Sequence, residues 1–238
     1  MKEPKQQVKR MTAKPKTWLH TLFVLIVNCQ LSMVNSSCSK DSYHYPDVKE
    51  EFFTAKTGTD SLINTIITDD GISRQVVESE NIDRLTPDSV IRLLGYYEEQ
   101  SNNTVKLHSF IPVTAPLPVP CEEYLDSVPT APVSIQSAWM GHEYLNMLLN
   151  VQSAGKPHRV SFLIDQYQAP DSLGLSSATF SIHHNDGGDA QIYQSRAYAS
   201  LPLYPYLSSS VRQLDVKVNY LDYDGQIQQL SFAYKPKN

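Results

Sequence analysis

The pattern of hydrophobic and polar positions divides this chain into a leader and a body. Residues 1–16 are polar and basic, residues 18–27 are mostly apolar, and residues 39–51 are polar without periodicity. From Phe52 onward, short runs of alternating or β-branched residues recur, separated by Asp, Asn, Gly and Pro. Because such runs are typical of strands joined by turns, the pattern predicts an all-β fold after a non-globular leader.

About five short strands are predicted between residues 52 and 115. The runs at 62–68 and 72–77 flank Asp69-Asp70-Gly71, which has the composition of a hairpin turn. The runs at 90–98 and 105–113 flank an Asn-Asn turn, and Gly95 within the first of them predicts a bulge or bend. We therefore predict a small OB-like barrel over residues 52–115.

A second β domain is predicted after a proline-rich linker at residues 116–131. Residues 132–238 contain six or seven strand-like runs and no long helical pattern, which favours an antiparallel β-sandwich. The run at 143–151 also fits a helix, but its β neighbours and flanking glycines favour a strand with Leu145 and Leu149 on one face.

The beginning of the chain has the layout of a lipoprotein signal peptide. Basic residues precede an apolar run that is shorter than the roughly 20 residues needed to span a bilayer, and Ser36-Ser37-Cys38 follow. We predict that residues 1–37 are a signal peptide, that Cys38 is the lipidated residue, and that residues 38–51 are a tether. An ordinary cleaved signal is the alternative, and Met11 is a candidate start in place of Met1.

The charge is distributed unevenly. The chain has 20 basic and 25 acidic residues. The first 37 residues contain six of the basic residues and one of the acidic ones. Residues 38–238 therefore contain 14 basic and 24 acidic residues, a net charge of −10. An acidic surface disfavours nucleic acid, so we predict membrane attachment through the lipid and no nucleic-acid partner. Cys121 is the single cysteine of the body, so no disulfide can form within it, and we interpret it as a small strand-end residue.

No motif with established chemistry is found. The sequence has no G-x-S-x-G, G-x-G-x-x-G or P-loop motif, so we predict no catalytic residues, no cofactor and no enzymatic activity. The candidate metal ligands are His142, His158, His183, His184, Asp186 and Asp189. Adjacent His183 and His184 point to opposite faces of a strand, so hydrogen bonding is favoured and no metal site is predicted.

An ordered set of short strings resembles the NigD-like family. It comprises the lipoprotein-like start, Thr68-Asp69-Asp70-Gly71, Trp139 followed by Tyr144-Leu145-Asn146, Lys156-Pro157-His158, and His184-Asn185 with Asp189. Ala131 departs from the pattern, where Asp is more typical. The resemblance implies an OB-like N-terminal domain and a C-terminal β-sandwich. It implies no established catalytic or binding residues, and the family is named after a member encoded with a bacteriocin system.

The leading hypothesis is a non-enzymatic, lipid-anchored cell-envelope protein of the outer membrane that acts as a binding module for an envelope or extracellular protein. Ser39-Lys40-Asp41 resembles signals that direct lipoproteins to the outer face, but a polar tether fits equally, so surface and periplasmic sides both stay open. One alternative is an accessory or immunity factor of a bacteriocin system. Another is glycan binding through exposed tyrosines, with candidates Tyr193, Tyr198, Tyr204, Tyr206, Tyr220 and Tyr223.

Overall fold

In the computed structural model, the described residues are 47–79, 85–124 and 129–236; the leader, Cys38 and most of the expected tether lie outside them. These residues form thirteen strands and three short 3₁₀ turns, with no α-helix in the described part. Accordingly, no helix there has the length and apolarity to cross a membrane. Residues Pro46–Asn238 form one compact unit that contains both β domains.

The first domain is a closed five-stranded barrel, which confirms the OB-like prediction. Its strands are β1 (Val48–Thr57), β2 (Ile63–Thr68), β3 (Ser73–Ser79), β4 (Val90–Glu99) and β5 (Thr104–Pro112). Their order around the barrel is β1-β2-β3-β5-β4, with β3 and β5 parallel and β4 closing against β1. Strand β1 begins four residues before the expected position 52, because its pairing with β4 extends to Val48 opposite Glu98.

The barrel core explains the glycine within β4. Phe53, Leu93 and Leu107 fill the interior with no exposed surface. A Cβ atom at Gly95 would lie 2.8 Å from the Phe53 ring and 2.8 Å from the Ser109 carbonyl oxygen. The pairing of β4 with β5 shifts register between Tyr96 and Tyr97, where β5 has one additional residue, so a bulge lies close to the predicted position.

The second domain is a β-sandwich of two sheets. Its strands are β6 (Val119–Pro120), β7 (Ser134–Met140), β8 (Tyr144–Ser153), β9 (Arg159–Gln168), β10 (Leu175–Asn185), β11 (Tyr193–Pro202), β12 (Gln213–Leu221) and β13 (Ile227–Tyr234). One sheet has the order β13-β12-β10-β9-β6 and the other β11-β8-β7. Leu145, Met147 and Leu149 lie fully buried between the sheets, so the strand prediction for residues 143–151 is confirmed.

Two pairings differ from the antiparallel arrangement expected. Strands β10 and β12 are parallel, because the intervening β11 belongs to the other sheet and the chain returns in the original direction. Strand β6 lies inside the range expected to be a linker and pairs in parallel with β9, with Val119 opposite Leu163. The proline-rich segment therefore contributes an edge strand to the sandwich.

The sandwich covers part of the outer face of the barrel. Phe52, Leu94 and Val113 point away from the barrel interior but are buried together at this junction. Directly after β5, the Thr114 backbone N–H donates to Tyr198 O at 3.0 Å, and the Ser200 N–H donates to Thr114 O at 2.9 Å. The three-stranded sheet is therefore hydrogen-bonded to the chain as it leaves the barrel.

Candidate functional site

A buried arginine lies at the centre of the junction between the domains. The Arg92 side chain, on β4, is only 1% exposed and forms an ion pair with Asp69 in the β2–β3 turn. It also donates to Asn146 Oδ1 at 3.0 Å, Ser200 Oγ at 3.4 Å and Thr54 Oγ1 at 3.3 Å. We call these five residues the Arg92 cluster. A buried charge is tolerated only when it is paired and hydrogen-bonded, and this cluster supplies both.

The Arg92 cluster joins two of the strings that carry the family resemblance. Asn146 Nδ2 donates to Asp69 Oδ2 at 2.6 Å, which connects the sandwich to the barrel turn. A Cβ atom at Gly141 would overlap the Asp69 carboxylate and lie 2.7 Å from Asn146 Nδ2. Gly71, at φ 86°, lies so close to the His142 ring that a Cβ atom would be 3.0 Å from Nδ1. These strings therefore specify how the two β-turns pack together.

An aromatic cleft borders this cluster on one side. It has a volume of about 460 Å³ and is lined by Glu50, Glu51, Phe52, Asp69, Leu94, Trp139, Leu148, Arg196 and Tyr198. Trp139 is 36% exposed. Its ring packs against the Phe52 ring in a T-shaped arrangement, with the centroids 5.1 Å apart. Phe52 also contacts the Tyr198 ring at 6.0 Å. We call this the Trp139 cleft; its walls come from both domains, an arrangement common in ligand sites.

The polar groups of the Trp139 cleft differ in how they are bonded. Glu51 accepts from the Asp69 backbone N–H at 3.0 Å and from the Tyr97 hydroxyl at 2.7 Å. The pKa of Tyr97 is raised, mainly by burial and to a smaller extent by this hydrogen bond to Glu51. The hydroxyl therefore stays protonated and acts as a donor. Glu50 accepts from the Tyr96 hydroxyl at 2.6 Å. Arg196 is exposed and has no ion pair or hydrogen bond of its side chain among the described residues.

A second cleft of about 430 Å³ also borders the Arg92 cluster. Its lining includes Lys56, His142, Glu143 and Tyr204. Glu143 is the last of the three residues between β7 and β8 and has a φ of 59°, which is left-handed. Such a backbone disfavours residues other than glycine, asparagine and aspartate. The Glu143 side chain has no hydrogen-bond partner among the described residues, so its local strain is not offset by a side-chain contact.

Three of the candidate metal ligands meet in the sandwich, and they are joined by hydrogen bonds. His158 Nδ1 lies 2.9 Å from His184 Nε2, and His158 Nε2 lies 3.2 Å from Asp189 Oδ2. The His184 Nδ1 contacts the Pro132 carbonyl oxygen at 3.2 Å. Because the carbonyl and the carboxylate only accept, His184 Nδ1 and His158 Nε2 are the donors in these two bonds. We call His158, His184, Asp189 and Ser153 the His158 cluster.

Asp189 is the acceptor that holds this cluster together. Its carboxylate accepts from Ser153 Oγ at 2.8 Å and from the Ala154 N–H at 2.7 Å. Burial raises its pKa, but these hydrogen bonds and the one from His158 outweigh that effect, and the net pKa is lowered. Ser153 donates to Asp189 and to no histidine, so this arrangement lacks the general base that an acyl-transfer serine requires.

The other residues proposed from the sequence are dispersed. No group of three or more His, Cys, Asp or Glu side chains in the described ranges is arranged to hold a metal ion. Cys121 is exposed in the 3₁₀ turn that directly follows strand β6, which agrees with the predicted position at a strand end. The tyrosines do not form one platform: Tyr198 lines the Trp139 cleft, Tyr204 contacts Tyr144, and Tyr206 contacts Phe180. Cys38, the predicted lipidation site, lies outside the described residues.

Sequence reasoning did not identify Arg92, Phe52 or Arg196. The sequence did contain one signal. A barrel strand that faces solvent has hydrophilic residues at its outward positions, but the outward positions of β4 are Arg92, Leu94 and Tyr96. An apolar outer face indicates that a second layer covers it. The cleft residues themselves come from strands far apart in sequence and share no local pattern.

Comparisons with known proteins agree with this architecture. Residues 117–234 match the NigD-like C-terminal beta sandwich domain. The chain is 31% identical to a NigD-like immunity protein from Bacteroides caccae ATCC 43185, with a TM-score of 0.64, over 82% of this chain and 100% of that one. A protein of unknown function from Bacteroides vulgatus ATCC 8482 is 18% identical, with a TM-score of 0.58, over 79% and 90%. No curated protein has a significant match to the chain.

Proposed function

The chain belongs to the NigD-like family, and from this premise we propose that it is a non-enzymatic binding protein of the cell envelope. The observation that carries the proposal is the Trp139 cleft. Aromatic side chains from both domains line it, with Trp139 exposed and Phe52 buried beneath it, and a buried ionic cluster fixes the domains relative to each other. A preformed cleft of this kind suits recognition, because little order has to be gained on binding.

The absence of enzymatic activity is part of this proposal. Ser153, His158 and Asp189 are the residue types of a hydrolase triad, but Asp189 accepts from both of the others. The serine hydroxyl therefore has no histidine as its general base, and the carboxylate it contacts has a lowered pKa, which makes it a weak base. The other polar cluster, around Arg92, has nearly all its donors and acceptors directed at one another, which is a structural arrangement.

We further propose that the protein is anchored to the outer membrane by a lipid on Cys38. The support is the sequence layout of the leader and the small residues before this cysteine. The anchor is tested by fractionating cells that produce the wild type or Cys38→Ala. We expect the wild type with the membranes and the variant in the soluble fraction; equal membrane retention would contradict the anchor. Protease treatment of intact cells then distinguishes surface exposure, where the protein is cut, from a periplasmic location.

Binding itself is tested by photo-cross-linking in intact cells. A photoreactive phenylalanine at Tyr96, beside the Trp139 cleft, is compared with one at Leu173, which is exposed elsewhere on the sandwich. We expect a cross-linked protein product from position 96 that disappears when Trp139→Ala is added, and none from position 173. Identical products from both positions, or none from either, would contradict the proposed function.

A second candidate function is immunity within a bacteriocin system. It is favoured by one specific observation, the 31% identity to a protein described as a NigD-like immunity protein. A strain that lacks this gene should then become sensitive to a bacteriocin made by neighbouring genes, and the wild-type gene should restore resistance. Unchanged sensitivity in the deletion strain would remove this candidate and leave the general binding role.

A further inference from the structure

Exposed apolar side chains continue from the Trp139 cleft along the outside of the barrel. Cross-strand register places Phe52 opposite Leu94, and Leu94 opposite Ile111. Because side chains alternate along a strand, Val48 on β1 and Tyr96 on β4 share this outward face. The sandwich covers Phe52 and Leu94, whereas Val48, Tyr96 and Ile111 are 41%, 42% and 47% exposed. We call the last three residues the barrel strip.

This strip extends the apolar surface beyond the cleft. A sugar ring stacked on Trp139 would occupy the cleft alone and would leave the barrel strip in water. An apolar anchor pocket continuous with a partly apolar, partly polar surface is instead typical of protein–protein contacts. The exposed side chains here also include Trp, Tyr and Arg, the residue types that contribute most to binding energy at such contacts.

Arg196 specifies the charge that a partner must bring. Its guanidinium has no bonded partner among the described residues, whereas Glu50, which also lines the cleft, already accepts a hydrogen bond from Tyr96. Residues 38–238 carry 14 basic and 24 acidic residues, so most of this surface repels carboxylates. An arginine without a partner on such a surface marks one position where a carboxylate is favoured.

We propose that the Trp139 cleft and the barrel strip bind a partner protein that inserts an apolar side chain next to an Asp or Glu. The apolar side chain packs between Trp139 and Tyr198, and the carboxylate pairs with Arg196. This inference rests on the binding function proposed above and specifies the chemistry of the partner.

The test uses a phage-displayed library of random peptides, selected on the immobilised full-length chain. We expect enrichment of peptides with Trp, Phe or Leu beside Asp or Glu. Selection on Arg196→Glu should favour Lys or Arg in place of the acid, because the charge on the surface is reversed. A synthetic peptide from the wild-type selection should bind Arg196→Glu with an affinity at least about tenfold lower than its affinity for the wild type.

Two matched variants control for non-specific effects. Arg159→Glu reverses an exposed arginine on β9, and Tyr193→Ala removes an exposed aromatic ring that does not line the cleft. Both should bind the selected peptide like the wild type, whereas Trp139→Ala should lose it. Because Trp139 contacts Phe52, the Trp139→Ala variant is first shown to unfold at a temperature close to that of the wild type.

Several results would overturn the inference. These are an acid preference that survives Arg196→Glu, peptides that bind Trp139→Ala as well as the wild type, and failure of any peptide to be enriched. Binding to a glycan array without peptide selection would also overturn it. Cross-linking at position 96 in cells then separates two conclusions. If the cross-link still forms and still depends on Trp139, the protein binds a partner but the proposed partner chemistry is wrong. If the cross-link is absent as well, the proposed binding function is also wrong.

Discussion

Replacing Asp69 with alanine should lower the free energy of unfolding by about 3–5 kcal/mol, the usual cost of leaving one member of a buried ion pair alone. We expect a loss within this range because the Arg92 side chain is only 1% exposed, so water cannot replace the carboxylate as its partner. Asn146 Nδ2 would lose its acceptor as well, which adds about 1 kcal/mol. This loss is a large fraction of the roughly 5–15 kcal/mol that stabilises a typical domain.

The reciprocal variant should be milder. Arg92→Met leaves Asp69 without its partner, but that carboxylate is 19% exposed and can be hydrated. The double variant Asp69→Ala/Arg92→Met no longer contains a buried, unpaired charge. Its destabilisation should therefore be smaller than the sum of the two single effects, with a coupling energy of about 2–3 kcal/mol.

The assay is equilibrium unfolding in urea, followed with two signals. In a Trp18→Phe background Trp139 is the only tryptophan, so its fluorescence reports on the junction, while circular dichroism reports on all strands. We expect the two transitions to coincide in the wild type. In Asp69→Ala the fluorescence change should come first, because the domains separate before either unfolds.

An exposed ion pair on the same barrel provides the control. Lys49 Nζ lies 2.6 Å from Glu99 Oε1, but the two side chains are 43% and 32% exposed. Lys49→Ala should therefore change the free energy of unfolding by no more than about 1 kcal/mol. If Asp69→Ala and Lys49→Ala lower stability equally, the Arg92 cluster does not hold the domains together, and the reasoning is refuted.

Three further predictions follow from the turns and the His158 cluster. Gly141→Ala should lower the free energy of unfolding by about 1–3 kcal/mol, because the new methyl overlaps the aspartate of the Arg92 cluster; a wild-type urea midpoint would contradict this. Glu143→Gly should raise it by up to about 1 kcal/mol by relieving a left-handed backbone, whereas Glu143→Ala should give no gain in the same assay. Burial lowers the pKa of His184, so as pH falls below 6.5 the unfolded chain takes up a proton that the folded chain resists. Stability should then fall by at most about 1.4 kcal/mol per pH unit, and His184→Gln should flatten this dependence while His142→Gln does not.

The sequence was sufficient to predict the fold but not the junction. Alternation and turn residues are local signals, so the barrel strands, the strand at 143–151 and the turn at Gly71 were all predictable. Asp69 was correctly interpreted as a turn residue. Its pairing with Arg92 and Asn146 was not predictable, because these partners lie 23 and 77 residues away and no periodicity relates them.

The His158 cluster shows a different limit. His158, His184 and Asp189 were considered together from the sequence, and the structure does bring them together. Hydrogen bonding at the ends of the sheet was the favoured interpretation, and it agrees with the contacts observed. What the sequence could not provide was their geometry, because the relation between the β8–β9 and β10–β11 loops depends on the stacking of the two sheets.

Because the Trp139 cleft is assembled from both domains, any molecule that occupies it binds only while the domains are docked. Binding and docking are then thermodynamically linked, and a ligand present at 100 times its Kd would add about 2.7 kcal/mol to the stability of the docked state. That gain approaches the loss expected for Asp69→Ala. A library of compounds or peptides screened for thermal stabilisation of this weakened variant would therefore favour molecules that bridge the barrel and the sandwich. The variant with the loosened junction is the form in which such a ligand is easiest to recognise.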